Sequence, residues 1–204
     1  MRLYLIRHGQ TAWNVEGRAQ GHSDVGLDDE GLRQSRLLGR AFRGVELARV
    51  VSSDLSRALE TARTVASATG APLTTDPRLR EQCFGEWEGR LYSDWRAEIE
   101  VHATNSGQLP ADFAPPRGES IREVWERIGE FASTLCLKDG DLAVVSHGGA
   151  AGLLLARLRE EPIDAGRTYR FPNASVTLLA RSSDRWEVVR FADVQHLQAE
   201  PSGT

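Results

Sequence analysis

Two distant histidines occur in nearly the same local sequence, and this repetition limits the possible folds more than any other feature of the chain. His8 comes two residues after the apolar run 3–6, His147 comes two residues after the run 142–145, and a glycine follows each histidine. Short apolar runs of this kind are typical of buried strands. Because ligands bind beyond the carboxyl ends of the strands in open α/β sheets, parallel neighbouring strands would bring both imidazoles into one pocket. The repetition therefore predicts an enzyme pocket that handles an anion.

Strand-like and helix-like segments alternate along most of the chain. This alternation predicts a three-layer α/β/α sandwich with a mostly parallel sheet, and 204 residues are enough for one such domain. The predicted strands are 3–7, 49–52, a short strand within 73–80, 141–146, and a closing hairpin of 175–181 and 186–191. The predicted helices cover 28–42, 120–135 and 149–158, with a further helix that ends near residue 68. Residues 87–117 are aromatic, irregular and rich in proline, which predicts a lid or insertion over the site.

Three of these helices begin with residues that cap helix N-termini. Asp28 is placed to cap the first helix, and either Ser53 or Asp54 is placed to cap the second. Ser120 and Glu123 have the spacing of a capping box. These positions predict where the strands give way to helices.

Composition narrows the function classes. The net charge of −4 argues against wholesale nucleic-acid binding, and the sequence has no apolar run long enough to predict a membrane span. Two cysteines make no disulfide framework, so a cytoplasmic location is the expectation. Lys138 is the single lysine, and no phosphate loop that ends in Gly-Lys-Ser or Gly-Lys-Thr is present. A phosphate site in this chain must therefore use arginine, histidine and backbone amides.

The neighbours of His8 favour chemistry over a structural role. A lone histidine at a strand end is most simply a hydrogen-bonded structural group, but here Arg7 precedes it and Gly9 follows it. Glycine lets the backbone approach a ligand closely. A neutral imidazole is a good nucleophile when an acceptor holds its other nitrogen. Together with the repetition at His147, these neighbours favour a reactive histidine.

Two further residues can reach the same sheet edge. Arg57 falls in the first turn of the helix that follows the strand 49–52, and helix N-termini attract anions. Glu81 begins the loop 81–89, which interleaves glutamates with aromatic residues and glycines. That mixture indicates a packed, shaped loop in which one carboxyl group can act as a general acid.

Five ordered blocks of the sequence together resemble the histidine phosphatase superfamily, the phosphoglycerate-mutase-like proteins. The first block, residues 7–14, reads Arg-His-Gly-Gln-Thr-Ala-Trp-Asn. The four later blocks follow in the order that the family has them, at 52–62, 81–89, 118–120 and 146–149. A lone Arg-His-Gly would be a weak signal, whereas this match extends over nearly the whole chain.

The resemblance implies a phosphohistidine mechanism and a single domain over 1–204. In such a mechanism His8 attacks phosphorus, and Glu81 protonates the leaving oxygen and then activates water. The residues implied to be catalytic are His8, Glu81, Arg7, Arg57 and His147. The residues implied to complete the phosphate pocket are Asn14, Gln20, Gly21 and Gly148. Two arginines supply forked donors to phosphate, and the resemblance implies neither a metal nor another cofactor.

The acid-bearing block favours the phosphatase branch of the family. Mutases carry Glu-Arg-His-Tyr-Gly there with a lysine soon after, whereas this chain has Glu-Gln-Cys-Phe-Gly at 81–85 and no lysine before Lys138. Residues 84–89 match the phosphatase pattern Phe-Gly-x-Trp-Glu-Gly. The expected protein is a metal-independent phosphomonoesterase that acts on small phosphate esters, binds neither nucleic acid nor membrane, and forms a homodimer. Phosphoglycerate mutase activity and a non-catalytic regulatory role are the alternatives.

Two smaller questions concern the loop and the lid. A cysteine-dependent phosphatase would need an arginine six residues after Cys83, but position 89 is glycine and Arg90 is one residue late. The aromatic side chains of Trp87, Trp95 and Phe113 either pack on the alcohol part of the substrate or form the ordinary core of the lid, and the second interpretation is favoured for any single one.

Overall fold

The computed structural model describes residues 1–95, 98, 101, 109–135, 140–182 and 185–198. Its strands are β1 (Arg2–Arg7), β2 (Arg49–Ser52), β3 (Leu73–Thr75), β4 (Leu142–Ser146), β5 (Val176–Ser182) and β6 (Arg185–Asp193). Its principal helices are α1 (Ala12–Glu16), α2 (Asp29–Ala41), α3 (Ser56–Thr69), α4 (Ile121–Ser133), α5 (Gly148–Leu158) and α6 (Ile163–Gly166). Among the described residues, no helix has the length and apolar content needed to cross a membrane.

The six strands form one sheet in the order β3-β2-β4-β1-β5-β6. The first four strands are parallel to one another, and β5 and β6 add an antiparallel hairpin at the edge. The prediction of a mostly parallel sheet with a closing hairpin is therefore confirmed. The turn predicted at residues 183–184 lies outside the described residues. The strand predicted within 73–80 is confined to Leu73–Thr75 and is followed by a 3₁₀ turn.

Strand β4 shows how helices cover both faces of the sheet. Leu142 and Val144 pack with α4 and α5, whereas Ala143 and Val145 pack with α2 and α3. Because every residue of this strand is buried, its sequence reads as a continuous apolar run rather than an alternating one. This arrangement is the predicted three-layer α/β/α sandwich.

Two of the three predicted caps are confirmed. The Asp28 carboxylate accepts the Gly31 N–H over 2.7 Å, and Ser120 forms its capping box with Glu123. The predicted cap of α3 is wrong: the helix begins after Leu55, which has no capping side chain. Ser53 and Asp54 lie upstream of this position, and their side chains bind His147 and Arg80 instead.

Part of the predicted lid packs as a small core of its own. Trp87 stacks on Trp95 and on Phe113, with ring centroids 5.4 Å apart in both pairs. Phe84 completes this cluster. These aromatic side chains are therefore the core of the segment, as favoured above. Residues 96, 97, 99, 100 and 102–108 of the predicted lid lie outside the described residues.

The loop that carries His8 rests directly on α2 and α3. The Gly9 N–H donates to the Thr61 hydroxyl over 3.1 Å. A Cβ added to Gly31, in the first turn of α2, would lie 2.0 Å from the carbonyl oxygen of Gln10. Glycine at this position lets the helix and the loop approach each other this closely.

Gly31→Ala should push the loop of Gln10 away from α2. The clash is with backbone, which yields less than a side chain, so we expect a loss of about 2–3 kcal/mol in the free energy of unfolding. Gly26→Ala is the matched control, because no atom of the described residues lies within 4 Å of the Cβ that it would add. Thermal unfolding measures the difference, and equal Tm values for the two variants would contradict this packing.

Candidate active site

The carboxyl ends of β1 and β4 bring the two histidines together, as the sequence predicts. Arg7 stands opposite Ser146 in the parallel register, so the chain leaves the sheet at His8 and His147 side by side. Their ring centroids are 5.1 Å apart, and both side chains are buried. Both rings line one cavity of about 740 Å³.

A backbone carbonyl fixes the tautomer of His8. Its Nδ1 lies 2.6 Å from the carbonyl oxygen of Gly9, and because a carbonyl can only accept, Nδ1 carries the hydrogen and Nε2 keeps its lone pair. Burial lowers the pKa of His8 well below its usual value, and the charges of Arg7 and Arg57 lower it further. At neutral pH this imidazole is therefore uncharged, with a free Nε2, which is the form a nucleophile requires.

His147 is held through its other nitrogen. Its Nε2 lies 2.8 Å from the Ser53 hydroxyl, which also accepts the Leu55 N–H over 3.3 Å. We assign the Ser53 hydroxyl as the donor and Nε2 of His147 as the acceptor. In a neutral imidazole the hydrogen is then on Nδ1. This Nδ1 is buried and has no partner in the described part of the chain. Burial lowers the pKa of His147 well below its usual value, so the ring is an uncharged donor to an anion in the cavity.

Two arginines, the buried Arg57 and the partly buried Arg7, are anchored by backbone carbonyls and line the same cavity. Arg57 donates from Nη1 to the Ser23 carbonyl over 2.9 Å and from Nη2 to the Gly21 carbonyl over 2.8 Å. Arg7 donates from Nη1 to the Phe171 carbonyl over 2.5 Å. The Nε atoms of both arginines are buried and have no partner among the described residues. Burial lowers the pKa of both guanidinium groups, a cost that an anion in the cavity would offset.

Glu88 organises the loop that anchors Arg57. Its Oε1 accepts the His22 N–H over 2.8 Å, and its Oε2 accepts the N–H and the hydroxyl of Ser23 over 2.7 and 2.6 Å. A Cβ on Gly21, whose φ is +52°, would lie 2.2 Å from this carboxylate. Gly21 therefore lies behind Arg57 and positions it through a carbonyl, and it is not among the residues that line the cavity.

Asn14 and Gln20 both line the cavity. The Oδ1 of Asn14 accepts the side-chain amide of Asn173 over 3.0 Å and the Thr11 N–H over 3.2 Å. The Oε1 of Gln20 accepts the Thr11 hydroxyl over 3.0 Å. With their oxygens engaged, both side chains keep their NH₂ groups as donors to a ligand.

The Glu81 carboxylate lies at the N-terminal end of α5 and binds its backbone amides. Its Oε2 accepts the Gly149 N–H over 2.9 Å, and its Oε1 accepts the Ala150 N–H over 3.1 Å. A Cβ on Gly149 would lie 2.6 Å from Oε1, so a glycine is needed where the carboxylate sits. Gly148 begins the same helix and lines the cavity, and N–H groups in a first helical turn lack carbonyl partners. A carboxyl group and helix amides thus form one wall of the pocket.

The order of these elements matches that of a known family. A sequence profile of the histidine phosphatase superfamily, branch 1, matches residues 3–194. The chain belongs to the histidine phosphatase superfamily. A probable phosphoglycerate mutase of Salmonella choleraesuis is 35% identical to this chain. The alignment is 213 residues long with its gaps and covers 98% of this chain and 96% of that protein.

Solved structures of other histidine phosphatases share the fold over almost their whole length. A mycobacterial glucosyl-3-phosphoglycerate phosphatase has a TM-score of 0.81 at 32% identity and covers 95% of this chain and 99% of its own. The α-ribazole phosphatase of Shigella flexneri has a TM-score of 0.84 at 30% identity, with coverage of 95% and 96%. These neighbours are phosphatases, and they support a phosphoric monoester hydrolase.

The residues that position the histidine phosphatase machinery are the ones the sequence reasoning missed. Ser53, predicted as a helix cap, binds His147 instead. Glu88 is one of three glutamates in the acid-bearing loop, and its role appears only when the loop folds back on residues 22–23. Burial raises the pKa of the Cys83 thiol, which agrees with the rejection of a cysteine nucleophile.

Two buried neutral histidines make the stability of the protein depend on pH. Both imidazoles take up a proton on unfolding once the pH falls below about 6.5, the ordinary histidine value. Each should therefore remove about 1.4 kcal/mol of unfolding free energy per pH unit below that value. Because their folded pKa values are depressed, stability is retained above pH 6.5 and lost as the pH falls.

Urea unfolding of the wild type, His8→Gln and His147→Gln between pH 7.5 and 5 measures this dependence. Each variant should lose stability with acidification less steeply than the wild type, by about one proton. Identical slopes in all three proteins would show that the histidines are not buried in the neutral form.

Proposed function

We propose that this protein hydrolyses small phosphate esters by way of a phosphohistidine on His8. The observation that supports this most strongly is the bond from Nδ1 of His8 to the Gly9 carbonyl. It leaves a lone pair on Nε2, and His8 lines one cavity together with Arg7 and Arg57. A neutral nucleophile beside two arginines is suited to attack on a phosphorus atom that bears negative charge.

In the first step, the Nε2 lone pair of His8 forms a bond to phosphorus while the ester P–O bond breaks. The leaving oxygen takes a proton from the Glu81 carboxyl group and departs as an alcohol. In the second step, Glu81 takes a proton from water, whose oxygen attacks phosphorus as the N–P bond breaks. Inorganic phosphate leaves, and both His8 and Glu81 return to their starting states.

Four groups hold the phosphoryl oxygens through both steps. The unpartnered edges of Arg7 and Arg57 supply charge-assisted donors, Nδ1 of His147 supplies a third donor, and the Asn14 amide a fourth. Because these donors are anchored before substrate binds, little reorganisation is needed when charge develops on the transferring group.

Phosphoglycerate mutase activity is the second candidate, because curated relatives such as the Salmonella protein are called probable phosphoglycerate mutases. A mutase returns the phosphoryl group to an organic hydroxyl, whereas a phosphatase gives it to water. The acid-bearing block of this chain has the phosphatase pattern at 84–89, and the phosphatase neighbours described above share its fold. Hydrolysis is therefore the activity we propose.

The proposal extends to the setting of the enzyme. We infer a single domain over 1–204 with residues 87–117 as a lid, because Tyr92 from this segment lines the cavity. We also infer a cytoplasmic homodimer that acts on small molecules rather than on nucleic acid, in keeping with the net charge of −4.

His8→Ala should abolish phosphate release from a panel of phosphomonoesters that the wild type hydrolyses. The cations that hold the phosphoryl group belong to this chain, so wild-type release should persist in the presence of a chelator. A colorimetric phosphate assay measures both results. Unchanged release by His8→Ala would contradict the mechanism, and loss of wild-type release on chelation would contradict its independence from metal.

Glu81→Gln should slow hydrolysis in a way that depends on the leaving group. Nitrophenolate departs without a proton, whereas an alkoxide does not, so kcat/KM should fall by about 10²–10⁴ for an alkyl phosphate and far less for p-nitrophenyl phosphate. Glu86→Gln is the matched control, since Glu86 is exposed and pairs with Arg117 over 3.0 Å. Equal losses on both esters would show that Glu81 is not the proton donor.

A further inference from the structure

A phosphoryl group fills only part of a cavity of about 740 Å³. The lining of this cavity includes residues of a short segment that follows α6, among them Arg167, Tyr169 and Arg170. We propose that this segment binds a second anionic group, carried on the alcohol part of the substrate, with Arg170 as its main contact. The inference rests on the proposed function and names its substrate class: phosphate monoesters of acidic alcohols.

The geometry of Arg170 leaves one edge of its guanidinium group available. Its Nη1 donates to the carbonyl oxygens of Arg167 and Tyr169, over 2.7 and 3.0 Å. These bonds fix the side chain and leave its Nε and Nη2 edge without a partner among the described residues. That edge is the one that forms paired, parallel hydrogen bonds to a carboxylate or phosphate group.

The charges that line the cavity are unbalanced. Its described lining contains four arginines and one carboxylate, Glu81. A phosphoryl dianion accounts for the charges of Arg7 and Arg57. Arg167 has an exposed partner, Asp164, at 3.6 Å, whereas Arg170 has no carboxylate within 4.0 Å in the described part of the chain. A second anion on the substrate would complete the balance.

The segment that carries Arg170 is held rigidly. A Cβ on Gly152 of α5 would lie 2.3 Å from the Gly166 carbonyl oxygen, so α5 and α6 touch through backbone. The Tyr169 hydroxyl donates to Glu161 over 2.6 Å. Phe171, the residue after Arg170, supplies the carbonyl that anchors Arg7. One rigid segment therefore carries Arg170 and also positions Arg7, which binds the phosphoryl group. Such preorganisation reduces the entropy that binding would cost.

Part of the cavity lining is apolar. Ile121 and Val124 of α4 and Leu153 of α5 contribute to it. Apolar side chains favour a hydrocarbon or ring stem between the two anions. The volume of about 740 Å³ leaves room for such a stem beyond the phosphate group.

A pair of synthetic esters tests the proposal directly. The first is 4-carboxybenzyl phosphate, and the second is 4-carbamoylbenzyl phosphate, its uncharged isostere with a leaving alcohol of nearly the same basicity. We expect the wild type to prefer the acid by at least about tenfold in kcat/KM, mainly through KM. This preference should shrink as the salt concentration rises, because Arg170 is exposed.

Arg170→Gln should remove the preference, so that the acid and the amide have similar kcat/KM values within that variant. Arg43→Gln removes the same charge from an exposed position just beyond the end of α2 and should keep the wild-type ratio. Circular dichroism and Tm establish that both variants are folded, and the salt dependence of the wild type gives a second reading that needs no variant.

The outcomes distinguish failure of the second anion site from failure of the proposed phosphatase activity. Equal hydrolysis of acid and amide by the wild type, or a preference that survives in Arg170→Gln and is insensitive to salt, would overturn the second anion site and leave the proposed function standing. Hydrolysis of neither these esters nor the wider phosphomonoester panel would overturn both.

Discussion

The parallel pairing of β1 with β4 is the constraint on which the rest of the site depends. Because Arg7 stands opposite Ser146, each strand delivers a histidine to the same edge of the sheet, and the two rings meet 5.1 Å apart. A shift of one residue in this register would turn one histidine toward the opposite face. The register in which the two strands pair therefore determines the distance between nucleophile and clamp.

In the described part of the chain, the positive charges of Arg7 and Arg57 are not neutralised by carboxylates in the site. Arg57 is fully buried, and carbonyl groups rather than carboxylates hold it and Arg7. Carbonyls fix the direction of a guanidinium group without neutralising it, so the attraction for a phosphoryl group is preserved. Burial, together with the same positive charges, keeps His8 unprotonated. One electrostatic arrangement therefore binds the substrate and maintains the nucleophile in its reactive form.

The parts of this structure that follow local rules could be predicted from the sequence. The strand ends before His8 and His147, and the caps at Asp28 and Ser120, depend on a few neighbouring residues, and the structure confirms them. The family blocks also predict Glu81 as a site residue, and it lines the cavity, but they do not indicate that its carboxylate binds the first amides of α5.

The missed features depend on contacts between distant segments. Ser53 was assigned to a helix because its spacing suits a cap, but a distant imidazole is its partner in the folded chain. Backbone carbonyls such as that of Phe171 leave no signal in a sequence. For the same reason the cavity wall that bears Arg170 could not be foreseen, and the aromatic segment around Trp87 was the more conspicuous candidate for contact with the alcohol.

The covalent intermediate is the most direct test of the account. Rapid mixing of enzyme with substrate, an alkaline quench that preserves phosphohistidine, and mass spectrometry with phosphorus–nitrogen NMR would locate the phosphoryl group during turnover. The account predicts up to one phosphoryl group per chain on Nε2 of His8, formed before phosphate appears and lost at least as fast as turnover. Turnover without a covalent phosphoryl group, or with one on another residue or on Nδ1, would contradict it.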